Sequence, residues 1–193
     1  MKNKIRLFFI ATSILLLLPI TNTFGLDVGD KAPNLIGYNA IDDSRFNLYH
    51  LMIKMTFKKD ENGALAKKDG KFIKEFTKFV VVLNFYSKTC IPCLKEIPTY
   101  NKVASRFKGK KVRFLYINVD PNPTKQQIEK LINQYNISIP IMMVNQKEAF
   151  RKYNADTLPR LFIIDKKKRV NKIISGFSEH LEAEIVETLN ELL

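Results

Sequence analysis

Cysteine is nearly absent from this chain of 193 residues, which holds two, Cys90 and Cys93. Two cysteines cannot form the disulfide framework that holds small secreted domains together, so the core must hold the fold unaided. Histidine is equally scarce, at two. Together, Cys90, Cys93, His50 and His180 would just suffice for a four-ligand metal site, but their separations match no zinc-finger spacing. Long apolar runs are lacking beyond Leu7–Leu18. Acidic residues are outnumbered, 19 against 32 Lys and Arg, giving a formal charge of +13. A basic domain can face nucleic acid or an acidic surface. The lysines are spread along the whole chain rather than gathered with stacking aromatics, so the footprint of a nucleic-acid binder is missing. What is present, 46% hydrophobic and 26% charged residues, is the composition of a single globular domain with a sizeable core.

The N-terminus reads as a secretory signal. Lys2, Lys4 and Arg6 precede the apolar run, Pro19 follows it, and Thr23-Phe24-Gly25 offers small residues at the −3 and −1 positions, with cleavage expected after Gly25. The run is short against the roughly 20 residues of a spanning helix, so an uncleaved anchor is the lesser reading. No cysteine lies near the cleavage point to carry a lipid. The expected organisation is therefore a signal over 1–25 and one domain over 26–193, in the periplasm or cell envelope.

The chemistry concentrates in Val80–Pro98. A β-branched apolar run, Val80–Phe85, has the look of a strand buried on both faces. Ser87-Lys88-Thr89 links it to Cys90-Ile91-Pro92-Cys93, and a helical pattern follows. The first thiol then lies at a helix N-terminus, where unpaired N–H groups and the helix dipole favour the thiolate. Pro92 suits the first turn, where its missing N–H is harmless. As a staple the pair would stabilise little, because its loop is two residues long. This segment, with Thr157-Leu158-Pro159 downstream, resembles the active-site region of thioredoxin-fold disulfide oxidoreductases, and is closest to the exported TlpA and ResA type with its redoxin (AhpC/TSA-like) domain. The resemblance runs from about Val28 to the C-terminus with one inserted stretch.

The rest of the chain reads as a small α/β fold. Asn34–Tyr38 and Arg45–Leu48 flank a turn at Asp42-Asp43-Ser44 and predict an N-terminal hairpin. Lysine-rich 52–79, with two turn signals and Phe57, Phe72 and Phe76 around them, predicts a solvated hairpin insertion. A role as partner-recognition or lid element stands against no role, which is the favoured reading. A helix is expected over Ile91–Phe107 with a kink at Pro98, and a strand over Val112–Val119. Thr124 and Gln127 form a capping box for a helix facing inward through Ile128, Leu131, Ile132 and Tyr135. Ile137–Val144 predicts a strand, placed at a sheet margin or bulge by Pro140. A short helix over Glu148–Tyr153 and strands at Leu161–Ile164 and Val170–Gly176 follow. A last helix is capped by Ser178, with Leu181, Ile185, Leu189 and Leu192 inward. The resemblance implies a thioredoxin-like fold, a central mixed β-sheet flanked by helices.

Cys90 is the expected nucleophile and Cys93 the resolving thiol, which closes the disulfide after a mixed disulfide forms with the substrate. From the resemblance, Pro159 is a cis-proline facing the cysteines, and Leu158 pairs with the substrate backbone. Where many thioredoxins have a buried aspartate stands Asn84, which cannot accept a proton. Glu96, three residues beyond Cys93 and with no lysine at helical spacing, is either an exposed helix glutamate or the acceptor of the Cys93 proton, the latter favoured. Tyr86, Ser87 and Thr89 fill the approach to the cysteines, and Thr89 stands where the family commonly has tryptophan, a residue this chain lacks.

The activity implied is exchange of a Cys90–Cys93 dithiol or disulfide with protein substrates, as a reductase, since Ile91 and Pro92 bring no charge to overstabilise the thiolate. The resemblance adds a membrane electron donor; no cofactor is called for, and a monomer is expected. Two alternatives remain. A peroxiredoxin-like thiol peroxidase would carry a threonine where Ser87 stands. A copper-binding metallochaperone of the same fold would have three residues between its thiols rather than two.

Overall fold

The computed structural model describes residues 25–193; the signal expected over 1–25 lies outside the described residues but for Gly25. Seven strands form one sheet, in the order Val170–Ser175, Arg160–Ile164, Val80–Tyr86, Val112–Asn118, Ile141–Val144, Ile36–Asn39, Arg45–Asn47. Its centre is β7 (Val80–Tyr86), paired in parallel with β8 (Val112–Asn118), which pairs in parallel with β9 (Ile141–Val144). On the other side of β7, β10 (Arg160–Ile164) and β11 (Val170–Ser175) run antiparallel. The mixed α/β architecture is the one expected.

All seven residues of β7 are buried, because helices cover both faces. Val80, Val82 and Tyr86 point into one core with Ile97, Tyr100 and Val103 of α2 (Ile91–Arg106) and Ile185 and Leu189 of α5 (Leu181–Leu192). Val81, Leu83 and Phe85 point into the other, with Leu48 and Met52 and with Ala149 and Tyr153 of α4 (Gln146–Tyr153). Burying each such side chain contributes about 1.5–3 kcal/mol, which is why a strand of this composition tolerates no exposed face. The Tyr100 hydroxyl donates to Val82 O at 2.8 Å and to Leu115 O at 3.1 Å, so α2 is tied across β7 and β8 as well as packed on them. α2 continues through Pro98.

The N-terminal hairpin forms as β1 (Ile36–Asn39) and β2 (Arg45–Asn47). β1 pairs antiparallel with β9, which corrects the marginal position inferred from Pro140: β9 is an interior strand. It is also shorter than the apolar run predicted. Asn136, at φ 50°, ends α3 (Lys125–Tyr135), and Pro140 joins the ladder only through its carbonyl, which accepts from Tyr116 N at 3.0 Å. The capping box forms as read, Thr124 Oγ1 accepting from Gln127 N at 3.2 Å. Asn47 caps a single turn, α1 (Leu48–Leu51), that the sequence pattern did not announce.

Residues 53–78 form a two-armed extension. β3 (Ile53–Phe57) pairs only with β6 (Lys74–Lys78), and β4 (Lys67–Lys68) with β5 (Lys71–Phe72), so the extension lies outside the main sheet. It is rooted where Phe79 N donates to Met52 O, at the N-terminal end of β7. The cysteines follow the C-terminal end of β7, about 20 Å away along seven strand residues. The insertion is thus rooted at the end of β7 away from the cysteines. Among the described residues no helix is long and apolar enough to cross a membrane.

Candidate active site

The end of β7 sets the site. After Tyr86 the chain leaves the sheet through Ser87-Lys88-Thr89 and enters α2, whose N-cap is Cys90. Cys90 and Cys93 are joined in a disulfide with a Cα–Cα distance of 5.3 Å, and Cys90 Sγ accepts from Cys93 N at 3.2 Å. That N–H belongs to the set left unpaired at any helix start, so the outer sulfur sits at the positive end of α2. The two sulfurs are not equivalent. Cys90 is half-buried, whereas Cys93 is 2% exposed beneath it. A protein partner can reach only the first.

Cys90 shares a groove of about 420 Å³ with Leu158, Phe150 and the loop residues Ser87 to Thr89. The Leu158–Pro159 peptide is cis, as the sequence resemblance implied. Pro159 is buried and immediately precedes β10, where Arg160 lies opposite Phe85 of β7. Thus the segment before β10 and the turn after β7 meet at one end of the sheet. Leu158 is half-buried and borders the groove.

Glu96 is only 3% exposed, which removes the reading of it as a surface glutamate. It lies one helical turn beyond Cys93, and its Oε1 accepts from Ser178 N at 3.0 Å. Burial pushes its carboxyl up to about 7, against an ordinary 4.5, with the Ser178 N–H pulling weakly the other way. The N-cap residue of the last helix is His180, not Ser178. The Ser178 backbone N–H serves Glu96, its Oγ accepts from His180 N at 3.1 Å and donates to Glu184 at 2.8 Å, and α5 begins after His180, which makes no side-chain cap among the described residues.

One residue of the site was not singled out from the sequence. Asp120, just past β8 and 6% exposed, accepts from Ser87 Oγ, from Lys88 N at 3.0 Å and from Asn118 Nδ2 at 2.9 Å. A carboxylate holding three donors fixes the loop that delivers Cys90. The only signal in the sequence is an Asn-Val-Asp run closing an apolar strand, too common to single out. Asn84 is buried at 2%, and its Oδ1 has no partner among the described residues. Ser87, at the distance where a peroxidase carries threonine, is occupied by Asp120. His50 and His180 do not join the cysteines: among the described residues no three of His, Cys, Asp or Glu cluster as metal ligands.

The arrangement can cycle between dithiol and disulfide. It offers an accessible sulfur at a helix start, a buried partner sulfur, and a carboxyl near neutrality one turn further along.

Comparisons with known proteins agree with this chemistry. A sequence model of the AhpC/TSA family matches residues 53–173. Thiol-disulfide oxidoreductase ResA from Geobacillus kaustophilus is 33% identical over 109 residues, covering 53% of this chain and 62% of the relative. The chain thus aligns with under two thirds of that relative's length. ResA from Bacillus thuringiensis subsp. konkukian is 29% identical over 137 residues, 70% of this chain and 77% of the relative. Among solved structures, a thiol:disulfide interchange protein of the thioredoxin family from Chlorobium tepidum superposes with a TM-score of 0.60 at 20% identity, over 85% of this chain and 96% of the other. That likeness shows a thioredoxin-like fold.

Proposed function

Because the chain belongs to the AhpC/TSA family and carries its cysteine pair on a thioredoxin-like scaffold, we propose that it is an exported thiol–disulfide oxidoreductase acting on proteins, in the direction of a reductase. The observation that carries the reading is the inequality of the two sulfurs: Cys90 reachable in a groove beside Leu158, Cys93 buried above Glu96. In the reduced form, Cys90 thiolate attacks a client disulfide. One client sulfur leaves as thiolate, and a mixed disulfide remains on Cys90. Cys93 then loses its proton to Glu96 and attacks Cys90 Sγ. The second client sulfur leaves, the client is a dithiol, and Cys90–Cys93 is oxidised by two electrons. Leu158 and Pro159 hold the client backbone beside the groove. Return to the dithiol needs an electron donor, which the exported setting assigns to the membrane. Export itself is supported by the basic, apolar and small-residue pattern of residues 1–25, and a monomer is the working form.

The test is the midpoint potential of the Cys90–Cys93 couple together with capture on Cys93→Ser. A reductase is expected near the thioredoxin value of about −270 mV, and a value near −120 mV would reverse the direction. Cys93→Ser is expected to hold clients on Cys90 as mixed disulfides that dithiothreitol releases; no such adducts with any disulfide-bonded protein would overturn the reading.

A further inference from the structure

The 53–78 extension has one face that the redox chemistry does not use. In the β3–β6 register Met55 lies opposite Phe76 and Phe57 opposite Lys74, so these four project to the same side. Phe72 continues that side, its ring 5.8 Å from Phe57 and capped by Lys67 Nζ at 4.9 Å. Phe76 is 63% exposed, and Met55, Phe57 and Phe72 are each more than a third exposed. A ribbon that packed for stability alone would turn these side chains inward. Lys67, Lys74 and Lys78 sit among them, and the extension's one acid within a strand, Glu75, lies opposite Thr56 on the other side. The remaining acids, Asp60, Glu61 and Asp69, are in the turns, with the Asp60 carboxyl taken up by the N–H groups of Asn62 and Ala64.

We propose that this face, Met55, Phe57, Phe72 and Phe76 ringed by Lys67, Lys74 and Lys78, docks on an anionic phospholipid surface. Apolar side chains framed by cations, with no acid among the strand positions on that side, complement a bilayer interface whose headgroups are negative. The face is a ribbon rather than a groove, so it offers no pocket to select individual side chains. Its lysine-bearing strands also resist the addition of a partner strand. Both features favour a fluid, unspecific surface over an acidic protein. The root of the extension is at the end of β7 remote from Cys90, and none of its residues lines the cysteine groove. The inference does not depend on the oxidoreductase reading and fails separately from it.

The absence of tryptophan makes the test direct. Phe76→Trp in the full chain gives a single reporter on this face, and Phe72→Trp gives a second should the first not fold. With vesicles containing phosphatidylglycerol, the emission is expected to shift to the blue and to be quenched by brominated acyl chains. The triple change Lys67→Glu, Lys74→Glu, Lys78→Glu is expected to weaken that partitioning roughly 100-fold, at about tenfold or less per lysine. The reporter detects insertion of this face whether or not residues 1–25 also bind lipid. No quenching on phosphatidylglycerol vesicles overturns the proposal. So does equal quenching on pure phosphatidylcholine, which would leave the lysines without a role. A shift with polyglutamate and none with vesicles would assign the face to an acidic protein instead.

Discussion

The two ends of β7 are built on opposite principles. At its C-terminal end, the turn to Cys90 is fixed by Asp120, Cys93 is sealed, and Glu96 is held by Ser178 from the link between β11 and α5. At its N-terminal end, the extension is held by its own ladders, by Ile53 against the core and by the Phe79 N–H on Met52 O, and displays its phenylalanines to solvent. Disulfide exchange needs sulfurs placed to within tenths of an ångström, so its surroundings are over-determined. A surface that meets lipid needs exposed area and charge instead, and little rigidity.

That contrast can be broken most severely at the sulfurs. Cys90→Ser is expected to abolish disulfide exchange entirely, with the fold intact by circular dichroism; residual turnover above background would return the nucleophile's role to Cys93. Next comes the loop anchor. Asp120→Ala strands the donors of Ser87, Lys88 and Asn118, and should lower stability by about 2–3 kcal/mol in urea unfolding, while slowing exchange. If only stability falls, Asp120 is structural and does not position Cys90.

Glu96 sharpens the comparison through pH. Its carboxyl sits at about 7 when folded and near 4.5 otherwise. Its contribution to stability is complete below pH 4.5 and is lost as pH rises through 7, because folding then buries a charge. Glu96→Gln should therefore be more stable than the parent at pH 8 by on the order of 2–3 kcal/mol, and equal to it at pH 4.5, as read from unfolding midpoints. The same change should slow thiol exchange near neutral pH; unchanged exchange would take Glu96 out of the proton path. The smallest effect is expected on the extension, where Phe76→Ser should alter stability by about 0.5 kcal/mol or less. A larger loss would mean that the ribbon packs on the body of the protein.

Local signals were legible along the chain. The capping box at Thr124, the hairpin around Asp42-Asp43-Ser44 and the strand–turn–helix around Cys90 all depend on residues within one turn or strand of one another. The misreadings share a different cause. Pro140 suggested a margin, but a hairpin a hundred residues upstream covers that edge. Ser178 looked like a cap, but α5 starts later, with His180 as its N-cap residue, and the Ser178 N–H is engaged by Glu96, 82 positions away. Asp120 escaped notice because its donors come largely from the preceding strand's loop, 32 and 33 positions back.

By itself the sequence determined the pair of sulfurs, the strand that leads to them and the helix whose N-terminus receives the first, since composition and spacing over some twenty residues suffice for that. Which sulfur is sealed, that Glu96 is buried against Ser178, and which side of the extension gathers the phenylalanines were decided only in three dimensions. Burial and register are properties of distant segments meeting, and a carboxyl's proton affinity follows from what surrounds it, not from its neighbours in the chain.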